Sequence, residues 1–237
     1  MASDREVLRE VWEGRLPVCF TLADEEVHGL QAPDPFYLMV PRLSYFPLVT
    51  DKVRRHFVRH IDPEKHDAEM WLEFNSQPIK WHYPVGVLEV VESHYMSCIK
   101  EADILKHKSH VASSMQKKEH NQLWLGLQND KFDQFWSVNR RLMETAELEG
   151  FKFVPFRCHR GDQLGAPLQR LYKPVDEAGQ PRTLGDLVKE LMSEASPESV
   201  RVVTHGVQPP WDTPLQWLSE HMSYPDNFLH LCVHTLT

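Results

Sequence analysis

His56 and His60 stand four residues apart in a segment of helical spacing, a geometry that suits two zinc ligands on one helix face. The glutamate of an HExxH pair is missing between them, and no third ligand can be picked out, so a metal site is not expected. Cys98 lies two residues from Lys100 and invites a thiol mechanism, but the simpler reading is a small apolar residue beside a helix stripe. Elsewhere no spacing joins a nucleophile to a base, and neither a GxSxG elbow, a P-loop nor a Rossmann fingerprint occurs. With 10 glycines in all, little remains for phosphate-cradling loops. No catalytic residue, metal ligand or cofactor is expected. The run from Lys106 to His120 is basic and rich in histidine, yet Glu101, Asp103 and Glu119 lie within and beside it, so it reads as a solvated helix face.

Cys98, Lys100 and the run from Lys106 to His120 sit in the longest proline-free run of a chain with 17 prolines, between Pro84 and Pro155. Tyr95, Met96, Ile99 and Ala102 form one helical stripe, and Phe132, Phe135, Trp136 and Leu142 or Met143 form another. The pattern predicts two or three helices, broken near Ser113 and Ser114 and between Gly126 and Asp130, with Asn129-Asp130 as a cap. On either side the chain turns to short alternating segments. A capping box at Ser3-Asp4-Arg5-Glu6 opens an amphipathic helix with Val7, Leu8, Val11 and Trp12 on its buried stripe. Strands are expected near Leu16 to Leu22 and from Phe36 past Pro41 to Tyr45, then a helix from Lys52 to Ile61 capped by Thr50-Asp51. Its buried stripe is Val53, Phe57, Val58 and Ile61, and a hairpin joins Trp71–Phe74 to Ile79–Trp81. After the helical block come strands at Phe151–Cys158 and Leu168–Val175, linked by a loop around Gly161 and Gly165. A helix at Leu184–Met192 capped by Thr183 and Asp186, a strand at Val200–Thr204, a helix at Leu215–His221 and a strand at Phe228–His234 complete the chain.

Strand, strand, helix, strand and a closing strand is the β-grasp order of ubiquitin. The fold class is therefore α+β, with two ubiquitin-like units flanking a helix-rich domain. The expected division is an N-terminal helix at 1–15, a shortened ubiquitin-like domain at 16–91, the helix-rich domain at 92–148 and a second ubiquitin-like domain at 149–237. The first copy runs from Tyr83-Pro84-Val85-Gly86-Val87-Leu88 directly into Glu92 and lacks its closing strand, which in this topology is central.

Composition narrows the rest. A net charge of −8 argues against nucleic acid as the main partner. No apolar run reaches the length of a membrane span, and the charged start MASDREVLRE leads us to expect no signal peptide. With Ala2 in place of glycine no myristoylation is expected, and the scattered Cys19, Cys98, Cys158 and Cys232 read as unpaired thiols of a reducing cytosol.

Five segments resemble the autophagy-related protein 5 family: LVTDKV (48–53), IKWHYPVG (79–86), MSCIKEADILKHK (96–108), QLWLGLQNDKFDQFWSVNRRLME (122–144) and PLQWLSEHMSYPDNFLH (214–230). The resemblance implies the same two-plus-one domain plan and an internal segment of the first ubiquitin-like domain missing here. It also implies a function that periodicity does not carry. Lys100, in the MSC-x-K-EAD motif, would be the acceptor of an isopeptide bond from the C-terminal glycine of the ubiquitin-like autophagy-related protein 12. The conjugate would bind the coiled-coil autophagy-related protein 16 and promote lipidation of another ubiquitin-like protein during autophagosome assembly. The chain would then be a cytoplasmic scaffold recruited to the phagophore membrane, a non-catalytic subunit of a ligase-like conjugate. A lysine amine attacks only when neutral, so the activated acyl group and the base must come from the conjugating enzyme. The competing reading is an interaction module that is not conjugated, as an impaired splice form would be. A metal or hydrolytic enzyme built on the scattered histidines is the third.

Overall fold

In the computed structural model, which describes residues 4–29, 32–74, 77–79, 88–108, 110–144, 150–160 and 167–236, the proline-free block folds as three helices. These are α3 (Leu88–His107), α4 (Lys117–Gln128) and α5 (Phe132–Met143), preceded in the chain by α1 (Asp4–Glu13) and α2 (Phe46–Phe57). Lys108, at φ 58, ends α3, and a single 3-10 turn at Ala112–Ser114 leads to α4. Asn129-Asp130 does not cap α5. Asn129 closes α4 instead, its side-chain amide donating to the Leu125 carbonyl at 2.8 Å, and Asp130 takes the left-handed φ of 54 that a tight helix–helix turn demands. Lys131 stands at the N-cap of α5.

The chain divides into two compact units, Met1–Trp12 with Tyr95–Thr237, and Glu13–His94. In the larger one, Trp12 packs against Phe132 and Phe135 at ring distances of 5.8 and 4.9 Å. Ser3 of the expected capping box lies outside the described residues. Gly126 lets α4 and α5 approach: a Cβ there would stand 2.7 Å from the backbone nitrogen of Phe135. Gly126→Ala should therefore cost about 1–3 kcal/mol by overpacking against backbone that has nowhere to go, more than the roughly 1 kcal/mol alanine gains over glycine in a helix. Urea unfolding followed by tryptophan fluorescence measures it, and a stabilised variant would contradict the close approach.

The sheet of this unit is β5 (Phe156–Arg160), β7 (Leu229–Thr235) and β6 (Val200–Val203) in that order, β7 central, parallel to β5 and antiparallel to β6. Across it lies α6 (Leu184–Leu191), opened by the expected capping box of Thr183 and Asp186. A further helix, α7 (Leu215–His221), follows β6. Leu184, Leu187, Val202, Leu215, Leu218, Leu229 and Leu231 are wholly buried in one core. Two expected strands are reduced. Residues 151–155 are irregular ahead of β5, and Leu168–Val175 forms no strand, contributing isolated bridges from Leu168 to Cys158 and from Val175 to Pro181, with the Tyr172 and Pro174 carbonyls accepting from the N–H groups of Val154 and Arg182. Pro155 ends the first stretch, Pro167 precedes the second and Pro174 lies within it, and each lacks the N–H a ladder needs. The Gly161 and Gly165 loop lies outside the described residues.

The smaller unit holds β1 (Arg15–Phe20) paired antiparallel with β2 (Phe36–Pro41), and a short hairpin of β3 (Glu73–Phe74) and β4 (Gln77–Pro78). Helix α2 covers the sheet through Val53 and Phe57, packed with Phe20 and Val40. It starts at Phe46 rather than at Lys52, because Pro47 fits the first turn and Thr50 turns its hydroxyl back to the Pro47 carbonyl, at 3.3 Å, instead of capping. It ends at Phe57, so Val58 and Ile61 fall beyond it and are only partly buried. Strand β2 stops at Pro41, and the chain turns there instead of running on to Tyr45. The hairpin is shorter than the pattern implied, and Trp81 and residues 83–87 lie outside the described residues.

Among the described residues no strand flanks β1 on the side away from β2. Leu16 accordingly stays exposed while Val40 opposite it is buried. The amides of β1 should exchange with solvent faster than those of β7, which is paired on both edges. Native-state hydrogen exchange reads this directly, and equal protection would show that the first sheet is closed by other means.

Candidate functional site

Helix α3 has one buried and one open face. Tyr95, Cys98, Ile99, Ala102 and Lys106 face inward, and Ser97, Lys100, Glu101 and Ile104 are exposed. At about 100° per residue, Lys100 sits just past Ile99 on the solvent side, so its backbone is held while its amine is free to reach out. The inward face is well anchored. Tyr95 meets Trp124 at 5.8 Å between rings, and Cys98 and Ala102 pack on Phe228. Asp103 accepts from the backbone N–H of Ala112 at 2.9 Å. The carbonyls of Leu105 and Lys106, which a helix end leaves unpaired, accept from Phe153 and Lys152 at 3.0 and 3.1 Å.

Beside Lys100 runs a chain of charged contacts that sequence reasoning missed. Arg157 on β5 donates to Asp226 at 3.3 Å and to the Cys98 thiol at 3.5 Å, and pairs with Glu101 at 3.5 Å. Its guanidinium lies 4.0 Å over the Phe228 ring. Asp226 also accepts from His230 at 2.9 Å and from the Phe228 N–H at 3.0 Å. His230 in turn shares a 3.0 Å hydrogen bond with His159. Burial alone would push the Asp226 carboxyl up, but His230, Arg157 and the Phe228 N–H outweigh it and hold it below its ordinary value. Burial, with His230 and Arg157 nearby, lowers His159 to about 4, so that ring is neutral near pH 7. The visible signal was the turn Pro225-Asp226-Asn227, whose Asn227 has a positive φ of 66 and whose Asp226 stands four residues before His230.

The other candidate residues are placed in structural roles. Burial pushes the Cys98 thiol up, against the direction a thiolate nucleophile needs. His56 stacks on Phe36 at 4.7 Å and its Nε2 lies 3.2 Å from the Asp34 carbonyl, and the His60 carbonyl accepts from the His28 N–H. The basic run is not wholly a solvated face: Lys106 is buried at its start, 4.7 Å over the Phe151 ring and 3.4 Å from the Met143 sulfur. None of the four cysteines forms a disulfide, and no described helix is long and apolar enough to cross a membrane.

Three family descriptions match successive parts of the chain: "Autophagy protein ATG5, UblA domain" at 11–94, "alpha-helical bundle region" at 88–145 and "UblB domain" at 153–233. Autophagy protein 5 of Drosophila melanogaster is 48% identical over 267 residues, covering 98% of each chain. The chain belongs to the autophagy protein 5 family. Autophagy-related protein 5 of Caenorhabditis elegans is 36% identical, over 96% of this chain and 97% of its own. The crystal structure of Atg5 from Kluyveromyces marxianus superposes with a TM-score of 0.80 over 96% of this chain and 99% of that one, at 15% identity, and so supports the fold. Two ubiquitin-like units flanking a helical region is thus the architecture of this family member. The Drosophila alignment spans 267 residues against 237 here, which accords with a segment missing inside the chain.

Proposed function

We propose that this autophagy protein 5 family member works in autophagy as a non-catalytic acceptor and scaffold, with Lys100 as the residue conjugated to autophagy-related protein 12. The observation that carries the reading is Lys100 itself. It lies in the MSC-x-K-EAD motif, exposed on a helix whose opposite face is anchored on every turn from Tyr95 to Lys106. Such a residue offers a mobile amine on a fixed base, which is what a macromolecular acceptor must supply.

Beyond the amine itself, the step needs no acid, base or cofactor from this chain. The neutral Lys100 amine attacks the thioester carbonyl of the donor's C-terminal glycine on its conjugating enzyme. A C–N bond forms, the C–S bond breaks, the enzyme's cysteine leaves as thiolate, and the amine's proton passes to solvent or to a base on the enzyme. The conjugate then binds the coiled-coil autophagy-related protein 16, is drawn from the cytoplasm to the phagophore membrane and promotes lipidation of a second ubiquitin-like protein. One observation favours the alternative of an unconjugated interaction module: the open edge of β1 among the described residues, which weakens the first unit as a docking platform. Incubation with the conjugation enzymes and donor decides between them. Intact mass should rise by one donor less water, with the branched peptide mapping to Lys100. An unchanged mass under conditions that conjugate a relative would favour the interaction module.

A further inference from the structure

We propose that Arg157 is a positioning residue for the acceptor lysine, its guanidinium gripping Cys98 and Glu101 on either side of Lys100 from the second ubiquitin-like unit. This rests on the reading of Lys100 as acceptor. The contacts are 3.5 Å to the Cys98 thiol and 3.5 Å to the Glu101 carboxylate, with Asp226 at 3.3 Å and the Phe228 ring at 4.0 Å behind them. One planar fork thus reaches residues two before and one after Lys100 while held from the rear. Asp226 is itself fixed by His230 and by the Phe228 N–H, so the grip has a rigid anchor.

Stability alone does not call for an arginine at this place. A buried ion pair is seldom worth more than apolar side chains of the same volume, whereas its directional bonds specify geometry. Geometry is what an acceptor needs. The amine must come within about 3–3.5 Å of a carbonyl carried by another protein, and a displacement of about 1 Å costs up to about a hundredfold in rate. The lysine side chain is flexible, so the fixed element has to be the helix beneath it. Arg157 ties that helix to β5 at the level of Lys100, and the backbone hydrogen bonds of Phe153 and Lys152 tie it one turn later.

The test uses the full chain and the conjugating enzyme charged with its donor as the thioester, in single turnovers. Arg157→Lys keeps the charge but loses the fork. At saturating charged enzyme the rate should fall roughly tenfold, while the half-saturating concentration changes by less than about twofold and the adduct stays on Lys100. Glu101→Gln, at a half-exposed residue, should lower the saturating rate about threefold alone and add nothing in the Arg157→Lys background. A merely structural arginine would leave the saturating rate unchanged once the folded fraction is counted from thermal unfolding. Wild-type saturating rates in both folded variants, or fully additive losses, would overturn the proposal. If Arg157→Lys does not fold, Glu101→Gln and Cys98→Ala decide, and wild-type rates in both overturn it. Lys100→Arg is the control that separates the two readings. Full adduct in that variant sinks the acceptor assignment, whereas no adduct there with normal rates in the clamp variants sinks the positioning role alone.

Discussion

Replacing Lys100 by arginine should lower adduct formation by about a hundredfold to a thousandfold or more, with no change in fold. A guanidinium ionises roughly two to three units above a lysine ammonium, so the neutral nucleophile falls by that factor, and its delocalised nitrogens attack poorly even when neutral. The side chain is exposed on α3 and its ammonium makes no hydrogen bond or ion pair among the described residues, so its loss leaves nothing buried unpaired. Thermal unfolding should therefore differ by less than about 0.5 kcal/mol, as for other surface substitutions. Charge is conserved, so weakened electrostatic docking does not explain a lost adduct. Yield by intact mass over a time course is the measurement. Undiminished yield, or transfer of the whole yield to Lys106 or Lys108, would show that the exposed position on α3 is not what selects the acceptor.

Lys106 leads to the second large effect, on stability rather than conjugation. It lies two turns after Cys98 on the inner face of α3, with a sulfur and a ring face as its near neighbours. Burial lowers its pKa to about 7, although Glu220, Asp226 and Asp103 pull the other way. A cation whose folded value lies below its ordinary 10.5 costs the folded state most at low pH. Below pH 7 both states hold the proton and the cost is complete. Between pH 7 and 10.5 the native state sheds its proton first, so this cost shrinks as pH rises and is gone above 10.5. Lys106→Met keeps the length and drops the charge. It should stabilise the chain by a few kcal/mol at pH 6, by less at pH 8 and by almost nothing near pH 10. Denaturant unfolding at these three values tests the trend. A variant less stable than the parent at pH 6 would mean that the nearby carboxylates favour the cation more than burial disfavours it.

Much of the architecture was legible because it rests on local patterns. The apolar stripe of α5 predicted its helix, and Phe132, Phe135, Trp136, Leu142 and Met143 are all buried. Thr183 with Asp186 announced the start of α6 through a capping box that needs only residues three apart. Where two local signals competed, the pattern misled. Thr50-Asp51 looks like a cap, yet Pro47 lets the helix begin earlier, and Asn129-Asp130 serves the end of α4 because the turn into α5 requires a positive φ.

The sequence by itself determined the order of the helices, the α+β class with two ubiquitin-like units around a helical region and, through long resembling segments, the family, and it pointed to Lys100 as the expected acceptor. These follow from spacing of 3.6 or 2 residues and from motifs contiguous in the chain. Only the tertiary structure decided what surrounds that lysine. Arg157 and Asp226 stand 57 and 126 positions away from Lys100 in sequence, and no local rule links an arginine on a strand to a thiol and a carboxylate on a helix. Nor does composition distinguish the exposed Lys100 from the buried Lys106, six residues along the same helix, because 600° of helical rotation carries one to solvent and the other into the core. Burial is a property of what packs against a face, and that is set by contacts between segments far apart in the chain.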